Sequence, residues 1–341
     1  MRKLFLIPAA AVLLLCTSVR PAAAYSDTAT VVPGTAGRLV CERTDMTDTV
    51  SVMIQWLPQC QFAGMIMAFW NGFYEEEGLE VELNYGTESY PSTQALRDGY
   101  ADIITTMLVD ALIARDLGTP LVNILQTSET SSLMIISHTP VKSVKDLNGM
   151  RIGRWTSGFF DTALCFAYYN SLNIEWVPIL SNIYPFAAGA VDAMVATEYN
   201  EYYQIQMAGI DVSRDNIIYL RDEGFNIPED GVYTTEEYYS THRDVVDRFL
   251  KATRRGWEWV RRPENFMTTI NAIVSIMRDG NIPSNMANQA YMLRTVLKLQ
   301  ENSRKEVPFH LDKSRFDSTV RILMDNNLLL SPIEYSDFVR P

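Results

Sequence analysis

Segments with strand-like and helix-like patterns alternate along residues 50–234 of this chain. Runs with the composition of buried strands lie near residues 50–56, 79–83, 101–105, 122–126, 133–137, 151–154, 176–180 and 193–197. Helical spacing of apolar residues lies between them, near residues 62–77, 92–98, 109–117 and 161–171. This alternation predicts mainly parallel sheets covered by helices on both faces.

The pattern changes after Thr234 to long amphipathic helices. They are predicted near residues 235–262, 264–279, 284–301 and 313–325. The chain of 341 residues is long enough for two cores. We therefore expect lobe one to comprise residues 48–138 and 233–341 and lobe two to comprise residues 139–232, with the chain crossing between lobes near residues 136–142 and 230–236.

The first residues have the features of a secretory signal peptide. Arg2 and Lys3 precede an apolar run over residues 4–16, and Ala22 to Ala24 follow. The run is shorter than the ~20 residues of a membrane span, which argues against an uncleaved anchor. We predict a signal peptide over residues 1–24, cleavage after Ala24, and a flexible leader over residues 25–47. The mature protein is then periplasmic or extracytoplasmic. Lipid anchoring at Cys16 is not expected, because Leu15 stands where that processing requires a small residue.

The charge of the chain excludes several classes of partner. Signal removal takes away three of the 29 basic residues and none of the 41 acidic ones, so the formal charge changes from −12 to −15. Such a surface repels nucleic acid and anionic lipid. No later apolar stretch reaches spanning length, and we expect a soluble monomer.

Cysteines and histidines give no sign of a metal site. The mature chain has Cys41, Cys60 and Cys165, an odd number, and its three histidines are scattered. A Cys41–Cys60 disulfide is left open, since sequence does not supply the Cα separation that a bridge requires. We assign no metal and no cofactor.

Several motifs in fixed order resemble a known family. They are the segments 55–64, 72–81, 95–103, 146–153 and 189–193. They resemble the type II periplasmic binding proteins that unite SsuA-like alkanesulfonate binders with the thiamine pyrimidine synthases and their precursor-binding relatives. The resemblance spans about residues 50–260. It implies an α/β fold of two lobes with a ligand cleft between them, and a substrate-binding component of an ABC importer that meets a membrane permease.

The resemblance also suggests a ligand and its site. Residues 198–202 resemble the branch that binds thiamine pyrimidine precursors, so a small flat heterocycle is expected. In open α/β sheets ligands bind beyond the carboxyl ends of strands. Trp56, Trp155 and Tyr199 follow strands and are expected to sandwich the ring, with Glu201 accepting a hydrogen bond. The full candidate set is Trp56, Gln59, Phe62, Thr106, Asp110, Trp155, Thr156, Ser157, Tyr199, Glu201 and Tyr202. Each candidate also has a purely structural alternative. The two tryptophans could pack in the core. Tyr199, Glu201 and Tyr202 could belong to a solvated loop, and Asp110, Thr156 and Ser157 could cap helices.

Other functions are weighed against the same residues. An alkanesulfonate or similar anion would favour fixed cations, and only Arg154 lies near the expected cleft, which favours a neutral or amino-bearing ring. A sensory ligand-binding module shares the fold. A pyrimidine-synthase-like enzyme would require an N-terminal lysine, histidine and cysteine cluster. The chain has no histidine before His138 and no lysine between Lys3 and Lys142. No catalytic residue is assigned, and the protein is not expected to be an enzyme.

Overall fold

A computed structural model describes residues 48–156 and 158–340. The predicted signal peptide, the leader and Ser157 lie outside these residues. The strands of the described part are β1 (Asp48–Ile54), β2 (Leu79–Tyr85), β3 (Ile103–Met107), β4 (Leu121–Gln126), β5 (Leu133–Ser137), β6 (Arg151–Arg154), β7 (Glu175–Pro178), β8 (Ala193–Thr197), β9 (Ile217–Tyr219) and β10 (Asp230–Thr235).

The α-helices of the described part lie between the strands and after them. They are α1 (Ala63–Trp70), α2 (Phe73–Glu76), α3 (Ser92–Arg97), α4 (Leu108–Asp116), α5 (Gly158–Tyr169), α6 (Tyr184–Ala187), α7 (Glu201–Met207), α8 (Glu236–Thr241), α9 (Arg243–Val260), α10 (Phe266–Asp279), α11 (Met286–Leu299), α12 (Lys313–Asp325) and α13 (Tyr335–Phe338).

The strands form two mixed sheets of five strands each. The first has the order β2-β1-β3-β10-β4 and the second β7-β6-β8-β5-β9. In each sheet four strands run in the same direction, and one strand, β10 or β5, lies between two of them and runs antiparallel to both. We call the part built on the first sheet lobe one and the part built on the second sheet lobe two.

The chain changes sheets earlier than the sequence suggested. β5 lies in the second sheet and β10 in the first, so the changes fall in residues 127–132 and 220–229. The expected crossings near 136–142 and 230–236 both lie further along the chain. The strands β9 and β10 were not predicted, because β9 is short and β10 is polar at its start.

Alternating side chains cover both faces of each sheet. On β1, Val52 and Ile54 belong to one apolar cluster and Met53 to the cluster on the opposite face. In lobe two, Ile135 and Ile136 divide between the two faces in the same way. This is the period of two that a strand buried on both faces requires.

The C-terminal helices pack on lobe one. Helices α9, α10 and α11 contribute to the cluster that contains Val52, and α12 and α13 contribute to the cluster that contains Met53. The C-terminal helices of the described part thus share the apolar clusters on both faces of the first sheet. None of the described helices is both long and apolar enough to cross a membrane.

Two predicted helices are interrupted. The segment expected over residues 62–77 becomes α1 and α2, because Gly72 adopts φ 73° between them. A left-handed residue ends a helix, and glycine adopts that conformation without steric cost. The segment over 235–262 divides at His242.

Helices α1 and α9 approach each other closely through two glycines. A Cβ atom on Gly256 would lie 2.0 Å from the carbonyl oxygen of Gly64, and one on Gly64 would lie 2.1 Å from Cδ2 of Trp257. No side chain fits at either position. This crossing holds α9 against the helix that follows the first strand.

Candidate ligand-binding site between the lobes

Two tryptophans from different lobes meet at the carboxyl edges of the sheets. Trp56 follows β1, and Trp155 follows β6 directly. Their ring centroids are 6.5 Å apart with 38° between the planes. Trp155 also packs against Phe160 of α5, with 4.8 Å between centroids. The two indoles therefore lie beside each other, and a ligand ring sandwiched between them would have to separate them.

Three buried polar atoms at this edge lack hydrogen-bond partners among the described residues. They are Nε1 of Trp155, Oε1 of Gln55 and Oδ1 of Asn288. Buried polar groups are nearly always satisfied, and leaving one unpaired costs about 1–3 kcal/mol. One donor and two acceptors are therefore available to a ligand that offers the complementary groups.

A chain of side-chain amides leads to a buried carboxylate. Gln59 donates to Gln61 at 2.7 Å, and Gln61 donates to the two oxygens of Asp230 at 2.9 and 3.1 Å. Gln55 donates to Asp230 at 3.0 Å. The hydrogen bonds from Gln61 and Gln55 lower the pKa of Asp230, but burial outweighs them and raises it to about 7. Gln59 thus reaches the site through Gln61.

Sequence reasoning missed Asp230. It begins β10, and because β10 runs antiparallel to β3, its first residue lies beside the last residue of β3, Met107. An antiparallel strand therefore presents its amino end at the edge where its parallel neighbours present their carboxyl ends. The sequence would have revealed this position only if β10 had been recognised as a strand.

The neighbouring Glu229 joins the two connections between the lobes. Its Oε1 accepts from Oγ of Ser132 at 2.9 Å and from Oγ of Ser131 at 3.1 Å. Burial raises the pKa of Glu229, and the adjacent Asp230 raises it further. Residues 127–132 and 220–229 are the segments where the chain changes sheets, so this carboxyl ties one connection to the other.

Tyr199 follows β8 of lobe two but packs in the apolar cluster of lobe one. It is 5% exposed. Burial raises the pKa of its hydroxyl strongly, and the nearby carboxyls of Asp230, Glu229 and Glu201 raise it further, so the group stays a neutral phenol. The ring lies at the interlobe boundary, as the candidate site requires.

Glu201 is held inside the protein rather than presented to a ligand. It is 2% exposed. Its Oε2 accepts from the backbone N–H of Thr197 at 2.8 Å and from the Thr197 hydroxyl at 2.6 Å, and its Oε1 accepts from Asn200 at 2.7 Å. Burial raises the pKa of Glu201, and these donors oppose the rise. The expected direct hydrogen bond from Glu201 to a ligand is therefore replaced by a role in positioning the loop that carries Tyr199.

Asp110 lies on α4 of lobe one, and its side chain contacts the start of α5 in lobe two. The backbone N–H groups of Phe159 and Gly158 hydrogen-bond its carboxylate and lower its pKa, but burial outweighs them and raises the pKa to about 7. Asp110 also lies in the first turn of its own helix, where a carboxylate is favoured, but it is not the N-cap of α4: that residue is Met107, and no side chain caps the helix. Thr156, just before α5, is exposed, and Ser157 is outside the described residues.

Arg154, the cation that the sequence placed near the cleft, has a carboxylate partner. Nη1 of Arg154 donates to an oxygen of Asp161 and, at 3.0 Å, to the carbonyl oxygen of Trp155. Burial raises the pKa of Asp161, and Arg154 opposes the rise. Arg154 is therefore neutralised within α5 and its preceding strand.

The remaining candidates have mainly structural surroundings. Phe62 is buried in the apolar cluster of lobe one. Thr106 lies on β3 opposite Gly231, one position from Asp230. Tyr202 accepts from Gln206 at 3.1 Å, and its ring lies 6.4 Å from that of Tyr291. Phe62 is thus a core residue, whereas Thr106 and Tyr202 flank the interlobe boundary.

Helix α11 supplies contacts that the sequence did not suggest. Gln289 accepts from the backbone N–H of Cys60 at 2.8 Å, and Asn288 donates to Oδ1 of Asn200 at 3.4 Å. The rings of Tyr291 and Tyr203 stack with 4.4 Å between centroids and 7° between planes. The detectable signal was Gln289, a polar residue on the buried stripe of an amphipathic helix.

The described cysteines belong to the cores. Cys60 is a buried free thiol in the lobe-one cluster, and Cys165 is a buried free thiol in a lobe-two cluster. Burial raises the pKa of both, that of Cys165 to about 12. Neither thiol is activated as a nucleophile. Cys41 lies outside the described residues. Within the described ranges, no group of three or more metal-ligating side chains is assembled.

The described chain forms two α/β lobes, each built on a five-stranded mixed sheet, and the lobes are joined by two connections. This is the fold of the type II periplasmic binding proteins. The chain belongs to the family described as NMT1/THI5 like, whose model matches residues 59–265. The family resemblance found in the sequence is confirmed.

Known relatives agree with this membership. The chain is 24% identical over 266 residues to the formylaminopyrimidine-binding protein of Halalkalibacterium halodurans, covering 75% of this chain and 78% of the relative. It is 26% identical over 219 residues to the riboflavin-binding protein RibY of Chloroflexus aurantiacus, covering 61% of each. The alkanesulfonate-binding protein SsuA of Xanthomonas axonopodis pv. citri, solved with MOPS, shares the fold with a TM-score of 0.63 and 15% identity, covering 86% and 98% of the two chains.

Proposed function

We propose that this protein is the substrate-binding component of an ABC importer and that it binds a small flat heterocycle between its lobes. Residues 1–24 would direct export and be removed, so that the mature protein works outside the cytoplasmic membrane. It would act as a monomer and meet a membrane permease in its closed form, because closure brings surfaces of both lobes together. The relatives named for formylaminopyrimidine and riboflavin binding support a ligand of this class.

The observation that carries the proposal is the contact of Trp56 and Trp155 beside unpaired polar atoms. The rings come from different lobes, 6.5 Å apart, and Nε1 of Trp155 and Oε1 of Gln55 are buried without partners among the described residues. Aromatic surfaces stack on flat rings with little loss of side-chain entropy. A heterocycle with ring nitrogens and amino groups offers both the stacking face and the complementary hydrogen bonds.

The charges around the cleft favour a neutral or amino-bearing ligand. Asp230, Glu229 and Asp110 lie at the interlobe boundary, and Arg154 is paired with Asp161. An anionic ligand would meet these carboxyl groups, and Arg154, already paired with Asp161, would not be free to offset their charge. The sulfonate alternative is therefore disfavoured, although the fold is shared with an alkanesulfonate binder.

Catalysis is not part of the proposal. The thiols of Cys60 and Cys165 are buried, and their pKa values are raised. His138 stacks on Phe186 of lobe two at 3.9 Å, and its Nε2 contacts the Phe186 carbonyl oxygen at 2.8 Å. These groups do not form a nucleophile–base pair. A binding role accounts for the interlobe site without any reacting group.

The proposal is tested by ligand binding to residues 25–341. Formylaminopyrimidine, riboflavin and ethanesulfonate are compared by melting curves and by calorimetric titration. A ligand that binds only the folded state stabilises it by about 2.7 kcal/mol at one hundred times its Kd, so a true ligand raises the melting temperature. We expect one of the two heterocycles to do so. Stabilisation by ethanesulfonate alone would overturn the proposal.

A variant pair makes the test specific to the site. Trp56→Ala should weaken binding of that heterocycle at least tenfold, roughly the value of a lost aromatic contact with its buried area. Trp70→Ala is the matched control, since Trp70 is 41% exposed at the end of α1. Equal loss in both variants would show that the cleft is not the site.

A further inference from the structure

The start of helix α5 faces a carboxylate of the protein itself. The first N–H groups of a helix have no partner within it and carry partial positive charge, so they readily receive anions. In this protein the N–H groups of Gly158 and Phe159 meet the carboxylate of Asp110, which comes from α4 of the other lobe. The two lobes are thereby joined at the position where an anion would be favoured.

The carboxylate of Asp110 lies close against Gly158, the first residue of α5. A Cβ atom on Gly158 would lie 2.6 Å from Oδ1 of Asp110 and 2.9 Å from Cδ1 of Ile113. Only a residue without a side chain fits against the carboxylate. A ligand anion could reach these N–H groups only if Asp110 moved away.

A second positive group close to the start of α5, the guanidinium of Arg154, also has a carboxylate partner within the protein. Arg154 precedes Trp155, and its guanidinium is paired with Asp161 in the first turn of α5. The helix end and the arginine are independent anion attractors, and each has an internal carboxylate as its partner. This arrangement removes the anion-binding capacity of the site while the stacking surface of Trp155 stays in place.

We propose that Asp110 is a specificity-determining residue: it excludes anionic ligands from the interlobe site by occupying the anion-accepting end of α5. This inference rests on the proposed function and narrows its ligand class to electroneutral or cationic heterocycles. Sulfonates and carboxylates of similar size are rejected, because their negative charge would meet the carboxylate of Asp110 at these N–H groups.

The test asks for a gain of binding, which a merely structural role of Asp110 would not produce. Asp110→Ser removes the charge and opens space beside the N–H groups, and Asp110→Asn removes the charge at equal size. Each is titrated calorimetrically with ethanesulfonate and with sulfate at low ionic strength and at about pH 8.5, where Asp110, whose pKa is about 7, is ionised. The matched control is Glu88→Gln, which removes one negative charge from an exposed position of lobe one.

We expect Asp110→Ser to bind ethanesulfonate about tenfold or more tightly than the parent, as one charge-assisted hydrogen bond allows, and Glu88→Gln to match the parent. Asp110→Asn should show a smaller gain. The inference is overturned if the parent binds ethanesulfonate as tightly as Asp110→Ser, or if both folded variants bind it no better than the parent. Where a melting curve shows Asp110→Ser to be unfolded, Asp110→Asn decides.

Titrations with heterocycles distinguish failure of this inference from failure of the proposed function. Formylaminopyrimidine and riboflavin are titrated into the same proteins. If no protein binds either compound while Asp110→Ser gains ethanesulfonate, the proposed ligand class fails and the role of Asp110 stands. If the parent binds a heterocycle and neither Asp110 variant gains the anion, the role of Asp110 fails and the proposed function stands.

Discussion

The rings of Tyr203 and Tyr291 stack across the two lobes, with 4.4 Å between centroids and 7° between planes. Tyr203 lies on α7 of lobe two and Tyr291 on α11, which packs on lobe one. The stack exists only when the lobes are close together. It therefore stabilises the conformation in which Trp56 and Trp155 also meet.

Loss of this stack should shift the protein toward open conformations. Stacked aromatic pairs contribute about 0.5–1.5 kcal/mol beyond area burial, so Tyr291→Ala should weaken ligand binding roughly three- to tenfold. Small-angle scattering of the unliganded variant should show a larger radius of gyration. In a double-mutant cycle, Tyr203→Ala and the double variant should reveal coupling of similar size. Additive effects of the two changes would contradict the role of the stack.

Much of the secondary structure followed from the sequence pattern. The apolar runs at 133–137, 151–154 and 193–197 coincide with β5, β6 and β8, and the helix near 313–325 coincides with α12. These elements have strong periodicity and clear ends. The divided helices at Gly72 and His242 were not foreseen, because apolar spacing continues across both breaks while the chain direction changes.

The candidate site was predicted only where it follows parallel strands. Trp56, Trp155 and Tyr199 were found because each comes one or two residues after the end of such a strand. Asp230 was missed because it begins an antiparallel strand, and Asn288 because it comes from a helix more than 200 residues beyond Trp56. The local pattern identifies the edge of a sheet, but tertiary packing decides which distant residues join that edge.

Glu201→Gln should destabilise the fold as well as weaken binding. A glutamine amide would place a donor against the N–H of Thr197 or the amide of Asn200, where the carboxylate accepts three hydrogen bonds. Asn200 cannot reverse its own amide freely, because its Oδ1 accepts from Gln204 at 2.7 Å. We expect a loss of about 1–3 kcal/mol in the free energy of unfolding by chemical denaturation. Exposed Glu223→Gln is the control, and an unchanged stability of Glu201→Gln would argue for a free, ligand-facing side chain.

Asp230→Asn should change how stability depends on pH. The pKa of Asp230 is about 7 in the folded protein, and that of an unfolded aspartate is about 3.9. As the pH rises from about 4 to 7, the unfolded chain gives up this proton and the folded chain retains it, so the parent loses stability that the variant does not lose.

The free energy of unfolding of Asp230→Asn minus that of the parent should therefore increase between pH 4 and 7 and level off above pH 7. The total increase should be about 1–4 kcal/mol. Denaturation curves at each pH measure it, with Glu88→Gln as the control for removal of one negative charge at an exposed position. A difference that is independent of pH would mean that the pKa of Asp230 in the folded protein is not raised above that of an unfolded aspartate.

Gly256→Ala should weaken lobe one without touching the ligand site. Its Cβ atom would lie 2.0 Å from the carbonyl oxygen of Gly64 and 2.8 Å from Cβ of Ala68, so α1 and α9 would have to separate. We expect a loss of about 1–3 kcal/mol or more in denaturation experiments. At Gly280 the nearest atom to a new Cβ, Cδ1 of Ile282, is 3.4 Å away, so Gly280→Ala should have little effect. Equal stability of the two variants would contradict the close approach.

Trp155→Phe separates the two roles assigned to Trp155. Phenylalanine keeps an aromatic face for stacking but lacks the Nε1 donor, which is buried without a partner among the described residues. In the unliganded protein, removal of the unpaired N–H group stabilises the fold, whereas the smaller buried ring destabilises it. The free energy of unfolding should therefore change by less than about 1 kcal/mol.

Ligand binding should respond differently to the same change. If Nε1 donates to the heterocycle, Trp155→Phe weakens calorimetric binding about tenfold, the value of one hydrogen bond whose acceptor is left buried. Trp70→Phe, at an exposed position of α1, should bind like the parent. The decisive comparison is between a ligand that carries a ring-nitrogen acceptor and an otherwise equal analogue with carbon at that position. Trp155→Phe should bind both with similar affinity, whereas the parent should prefer the nitrogen-containing ligand. Equal discrimination in the two proteins would show that the indole acts through its face alone.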